Sequence, residues 1–220
     1  FSLANAIFLK AIPLCINEVL WSAGMATLFK YYSTRGIEVM AGSAISSTFS
    51  DIFFTLFGGM SITTTILVSS RLGANKLEEA KEYAYKLIGL SFVLSWFFAI
   101  AMFASSFLVP YIYANVSDLS KEVAIRMLQV QAVMYWIYML TTECYFILRA
   151  GGDTKNTLMM DSGFMCLLNI PVLALVTYLT NWNYLIIYII GQSVEFIKLS
   201  FAYKLLRLEK WVVNLTHQVK

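Results

Sequence analysis

What most constrains this chain is the length of its uninterrupted apolar runs. Six are long enough to matter, at approximately 6–29, 39–69, 87–113, 127–148, 157–180 and 184–206. A soluble core strand needs about 4–8 apolar residues, whereas a bilayer span needs roughly 20. The third run, "LIGLSFVLSWFFAIAMFASSFLVPYIY", does not alternate apolar with polar residues, so it is not a strand of an outer-membrane barrel. Lipid offers no partner to backbone N–H and C=O groups, so such runs must be helices. Composition agrees with this. Charged residues make up 13% of the 220, about half the share of an average soluble domain, and mean hydropathy is +0.70. The expectation is an all-α membrane protein, a bundle of six transmembrane helices in which residues 1–220 form a single unit.

Orientation is read from Lys and Arg. One set of connections holds "RLGANKLEEAKEYAYK", "RAGGDTKN" and the tail "KLLRLEKWVVNLTHQVK", with Lys10 at the entry. The opposite set holds "KYYSTRGIE", "NVSDLSKEVAIR" and "TNWN". The first set carries more Lys and Arg, so it is expected on the cytoplasmic side, as are both ends of the chain. This bias accounts for the net charge of +3 without a nucleic-acid partner. Tyr31, Tyr32, Tyr111, Tyr113, Trp182, Tyr184 and Trp211 lie near segment ends, where interfacial anchors are expected. The opening at Phe1, without an initiator Met, reads as a piece of something larger. The other end reads as a natural finish with a basic amphipathic tail from about 207 to 220.

The connections carry helix punctuation. Gly73 is expected to end the second helix in a left-handed turn, with Asn75 capping the next. Glu78 and Glu79 then fall in a first turn, and Glu82 stands four residues before Lys86 in the favourable order. Gly151 and Gly152 are expected to end the fourth helix, with Asp153 or Thr154 capping the fifth.

Little points to an enzyme. His217 is the one histidine and lies in the tail, and neither HExxH nor GxSxG occurs. Cys15, Cys144 and Cys166 form no CxxC, so they read as small apolar residues rather than a metal or disulfide set. No cofactor motif is present.

The pieces "PLCINEVLWSAG", "LGANKLEEAKEYA", "LRAGGDTKN" and "EKWVVNLT" occur in an order and at spacings that resemble the multidrug and toxic compound extrusion family. The resemblance covers nearly the whole chain, and Asn17, Glu18 and Trp21 on the first helix point to the carboxyl-terminal half. It implies one lobe of a two-lobed transporter whose amino-terminal half is not in this sequence. It also implies export of cationic or amphipathic compounds in exchange for sodium ions or protons, in a bilayer such as the bacterial plasma membrane. A flippase of lipid-linked oligosaccharides, from the same broad superfamily, is the alternative. The spans carry carboxylates and little Arg or Lys, which favours cationic cargo over that alternative.

Charges inside spans are costly, roughly 2.5–3.5 kcal/mol each on insertion scales, so each needs a reason. Glu18 lies near the middle of the first span, with Asn17 beside it. Pro13, five residues earlier, is expected to bend the helix and free a carbonyl. A carboxylate with such neighbours suits a sodium ion or a proton, and the family resemblance implies that Glu18 is the main coupling group. Asp51 on the second span is a further candidate, next to a small-residue stripe of Gly42, Ser46 and Ser50 that suits close helix contact. Gly58 and Gly59 are expected at a packing contact. On the fourth span Glu143 is the available carboxylate, either a partner of Glu18 or an ion pair with Arg149. Related sodium-coupled transporters carry an acidic residue nearer the middle of this helix, and this chain does not. Trp21, Tyr135, Tyr138 and Asn169 are the candidate cavity residues, with Asn169 two residues before Pro171 expected to mark a broken helix. Glu195 and Lys198, three apart, are expected to pair with each other.

Overall fold

A computed structural model describes the backbone of residues 2–214. The side chains of residues 1–11, 13 and 14 lie outside the described set, as does everything from 215 onward. The side chains of Pro13 and Lys10 and the tail histidine, His217, therefore lie outside the described residues, while the α1 backbone stays helical through position 13.

Six long helices follow one another: α1 (Ser2–Ser33), α2 (Ile37–Gly73), α3 (Leu77–Ile112), α4 (Asp118–Ala150), α5 (Thr154–Leu179) and α6 (Tyr184–Arg207). Among the described residues there is no strand. Helices α2 to α6 are each long and apolar enough to cross a membrane. In the opening turns of α3 the expected Glu82 and Lys86 pair forms at 2.6 Å.

Local chemistry explains the interruptions. α3 tightens to a 3₁₀ turn at Ser106–Leu108, just before Pro110, whose ring lacks an N–H to continue the α pattern. α5 widens instead. It carries two π segments, Met159–Gly163 and Met165–Asn169, before Pro171. The helix expected to break near Asn169 is continuous, because π turns absorb the missing donor.

The turns refine the expected punctuation. Gly73 is the last helical residue, and Asn75 takes the left-handed conformation at φ +61°. Asparagine tolerates that region, so it makes the turn rather than the next cap. In the loop between α4 and α5 Gly152 is left-handed at φ +76°, and Asp153 caps α5 by accepting from the Asn156 backbone N–H at 3.3 Å.

α4 is the central helix and packs against α2, α3 and α6, while α1 packs against α2, α5 and α6. Small residues set the closest approaches. A Cβ on Gly42 would sit 2.5 Å from Val123 and 2.7 Å from the Ser120 carbonyl, so α2 and α4 touch backbone to backbone here. By contrast, a Cβ built on Gly58 or Gly59 would meet no atom within 4 Å beyond its own helix backbone, so among the described residues they make no packing contact.

After Arg207 the chain leaves the helical path. Residues 208–214, the described part of the expected tail, form turns that bring Trp211 back onto Gly151. Trp211 is 1% exposed, a core residue rather than an interfacial anchor. Its indole N–H donates to the Leu206 carbonyl at 3.0 Å, and its backbone lies on Gly151, where a Cβ would come within 2.2 Å. Glu209 pairs with Lys81 at 2.6 Å. The tail thus joins the ends of α3, α4 and α6.

Two substitutions test this packing by thermal unfolding of the purified protein. Trp211→Ala is expected to cost about 3–5 kcal/mol through lost burial and a cavity. Gly42→Ala is expected to cost about 1–3 kcal/mol, because the neighbouring backbone must move.

Candidate functional site

A cavity of about 540 Å³ lies between α1, α2, α4, α5 and α6. That volume suits a drug-sized molecule. α3 contributes nothing to its wall. Aromatic side chains form part of its wall, including Trp21, Phe54, Phe57, Tyr138, Tyr145 and Phe164.

Charge enters from five helices. Glu18 of α1 and Asp51 of α2 both face the cavity. Neither carboxylate has a hydrogen-bond or ion-pair partner among the described residues. Asp161 of α5 and Glu195 of α6 also line it, with the cations Arg149 of α4 and Lys198 of α6. Lys198 Nζ stands 3.7 Å from Asp161 Oδ1 and 3.7 Å from Glu195 Oε1. The expected pairing of Glu195 with Lys198 is therefore one half of a three-membered cluster that reaches α5.

Asn17 does not join Glu18. Adjacent helix residues point about 100° apart, and Asn17 turns inward, 2% exposed. Its amide Nδ2 donates to Asp161 Oδ2 at 2.8 Å. Its Oδ1 accepts from the Ser162 hydroxyl at 2.7 Å, and that hydroxyl also contacts the Asn17 carbonyl at 2.8 Å. Both Asp161 and Ser162 lie in the first π segment. The wider turn brings two successive side chains to one partner on α1.

Glu143 is also apart from the cavity. It is fully buried between α2, α3 and α4, where Thr64 Oγ1 donates to Glu143 Oε1 at 2.5 Å. Ser91 of α3 faces the same carboxyl group. The alternative ion pair with Arg149 does not form. Six residues on a helix turn a side chain through about 240°, so the two project in different directions. Arg149 instead reaches the cavity.

The aromatic candidates divide in the same way. Tyr138 lines the cavity and its hydroxyl donates to Gln192 Oε1 at 2.5 Å, tying α4 to α6. Tyr135 is fully buried, a correction to its expected place on the cavity wall. It stacks on Phe54 and Phe98 and donates to the Phe53 carbonyl at 2.7 Å. Three residues of helix separate the two tyrosines, which tilts one toward α2 and the other toward α6. Trp21 and Asn169 both line the cavity, and the Asn169 Oδ1 atom is buried without a hydrogen-bond partner among the described residues. Away from the cavity surface, the buried Ser50 hydroxyl of α2 donates to Gln131 of α4, which lines it.

Three charged residues that line the cavity were not expected there: Asp161, Lys198 and Arg149. Their signal was available, since each is a charge in or beside an apolar run. What sequence spacing could not supply was the convergence of different helices on one space.

With this geometry in hand, comparison with known proteins is decisive. A family model described as MatE matches residues 13–175. The chain belongs to the MatE family. It is 30% identical over 172 residues to the "Uncharacterized transporter YisQ" of Bacillus subtilis (strain 168), a match covering 77% of this chain and 35% of that relative. Two solved structures share the fold at 20% identity. One is a MOP superfamily transporter from Pyrococcus furiosus Vc1 (DSM3638), whose description notes a reversed polarity of its binding pocket. Its TM-score is 0.85, with 98% of this chain and 48% of that one covered. The other is a multidrug resistance MATE family transporter in an outward-facing conformation, with a TM-score of 0.84 and coverage of 95% and 46%. This MatE chain thus spans about a third of the curated relative and about half of the solved transporters. It is an integral membrane protein with the dimensions of one transporter half.

In this MatE lobe, Thr64→Val is expected to leave the buried Glu143 oxygen without its donor. The cost should be about 1–3 kcal/mol in thermal or denaturant unfolding.

Proposed function

We propose that this chain is the carboxyl-terminal lobe of a cation-coupled exporter that moves cationic or amphipathic compounds by alternating access. The observation that supports this best is the presence of two unpartnered carboxylates, Glu18 and Asp51, on one aromatic-walled cavity. An organic cation gains from such a site in two ways. The carboxylates supply opposite charge in a medium of low dielectric, and the ring faces of Trp21, Tyr138 and Phe54 supply cation–π attraction.

Coupling follows from competition. A sodium ion or proton at Glu18 neutralises the charge that holds the cargo, and loss of that ion restores it. Glu18 is the main coupling carboxylate in this reading, with Asp51 as its cavity partner. Asn17 and Glu143 act indirectly, by holding α1 against α5 and α2 against α4. The amino-terminal half supplies the opposite wall and the second body against which this lobe moves, as in other repeat-built transporters. The bacterial plasma membrane, with both ends of the lobe cytoplasmic, fits the Lys and Arg of the connections.

Arg149 favours a second reading, a flippase of lipid-linked oligosaccharides, because an exposed guanidinium suits a phosphate. Four carboxylates (Glu18, Asp51, Asp161, Glu195) against two cations (Arg149, Lys198) leave the cavity acidic, which weighs against that cargo.

The test uses sealed vesicles carrying the intact transporter under an imposed sodium or proton gradient. Glu18→Gln is expected to lower ion-driven efflux of an organic cation about tenfold or more, within the usual range of coupling free energies. The variant should remain monodisperse. Full efflux under both gradients would remove Glu18 from the coupling role, and the gradient on which the parent protein depends identifies the ion.

A further inference from the structure

We propose that Lys198 is a built-in cation of the cavity: its ammonium fills the place between Asp161 and Glu195 that a free monovalent cation would otherwise take. This cluster is closed to exchangeable ions, and Glu18 and Asp51 are the carboxylates left open to them.

The geometry carries the inference. One ammonium faces two carboxylates from different helices at the same distance, 3.7 Å to each. A closed charge-assisted hydrogen bond spans about 2.7–2.9 Å, so Lys198 is shared between the two rather than locked to one. All three side chains are about one-fifth exposed, at 18% for Lys198, 21% for Asp161 and 17% for Glu195. Partly buried like charges repel strongly unless something neutralises them, and here the neutralising charge is tethered. The second Asp161 oxygen is already held by the Asn17 amide, which is itself anchored to Ser162. One carboxylate of the pair is therefore fixed in place whether or not a cation is present. The two carboxylates are hard oxygen donors, which suit an alkali cation better than a soft metal. The flexible lysine stem makes the ammonium a compact point charge that substitutes for such an ion.

The inference goes beyond export, because it concerns which ions bind and not what is moved. Its test therefore reads binding. The full-length protein is purified as the parent, as Lys198→Gln and as Lys198→Arg. Melting is recorded in sodium chloride and in choline chloride at equal ionic strength. Sodium is expected to raise the melting temperature of Lys198→Gln by about 3 °C or more beyond the parent's own sodium response, as a newly bound ligand does. Lys198→Arg keeps the tethered charge and is expected to respond like the parent. The double variant Lys198→Gln with Asp161→Asn is expected to lose the added response. If Lys198→Gln does not hold its fold in choline chloride, sodium chloride is expected to restore it. The proposal is overturned if Lys198→Gln responds to sodium no more than the parent does, or stays unfolded in both salts. It is also overturned if Lys198→Arg or the double variant shows the same gain.

Discussion

A polar group in a hydrocarbon layer has no water to turn to, and the whole lobe is arranged around that fact. Helices solve the problem for the backbone. Side chains must solve it against one another, and their partners then dictate which helices touch. Asn17 draws α1 onto α5 through Asp161 and Ser162. Thr64 and Glu143 draw α2 onto α4, and Tyr138 with Gln192 ties α4 to α6. Close contacts at small residues, such as Gly42 on Val123, let these helices approach near enough for such bonds to form.

Intramembrane polarity also lines the cavity. Glu18, Asp51 and Asn169 face the space among five helices, whereas Glu143 lies outside it with one carboxyl oxygen bonded by Thr64. Two kinds of intramembrane polarity thus matter to the lobe. One bridges helices and holds them together. The other faces the cavity and is available to a ligand. Lys198 stands between them, paired yet lining the space, and this is why its charge matters to what the cavity accepts.

The fold class was legible early, because run length and the absence of alternation leave few alternatives in lipid. Glu18, Asp51, Trp21, Tyr138 and Asn169 were also legible as cavity residues, since a polar or amphipathic group in an apolar span needs a reason to be there. Tyr135, Asn17 and Glu143 carried the same signal for a different reason: each hydrogen-bonds a partner on another helix. Sequence has no means of separating these cases. Trp211 shows the same limit at the surface. A tryptophan after a span looks like an interfacial anchor until the chain turns back and buries it on Gly151.

By itself the sequence determined that the chain forms membrane helices, roughly where each begins and ends, and which residues bring charge into them. These follow from local free energies of transfer and hydrogen bonding, which depend on neighbours along the chain. Only the tertiary structure decided which of those charges meet. A one-residue step turns a side chain through about 100°, and the π turns of α5 shift that count again. Asn17 and Glu18, adjacent in sequence, therefore reach different places, while Asp161 and Lys198, 37 positions apart by their numbering, share one cluster.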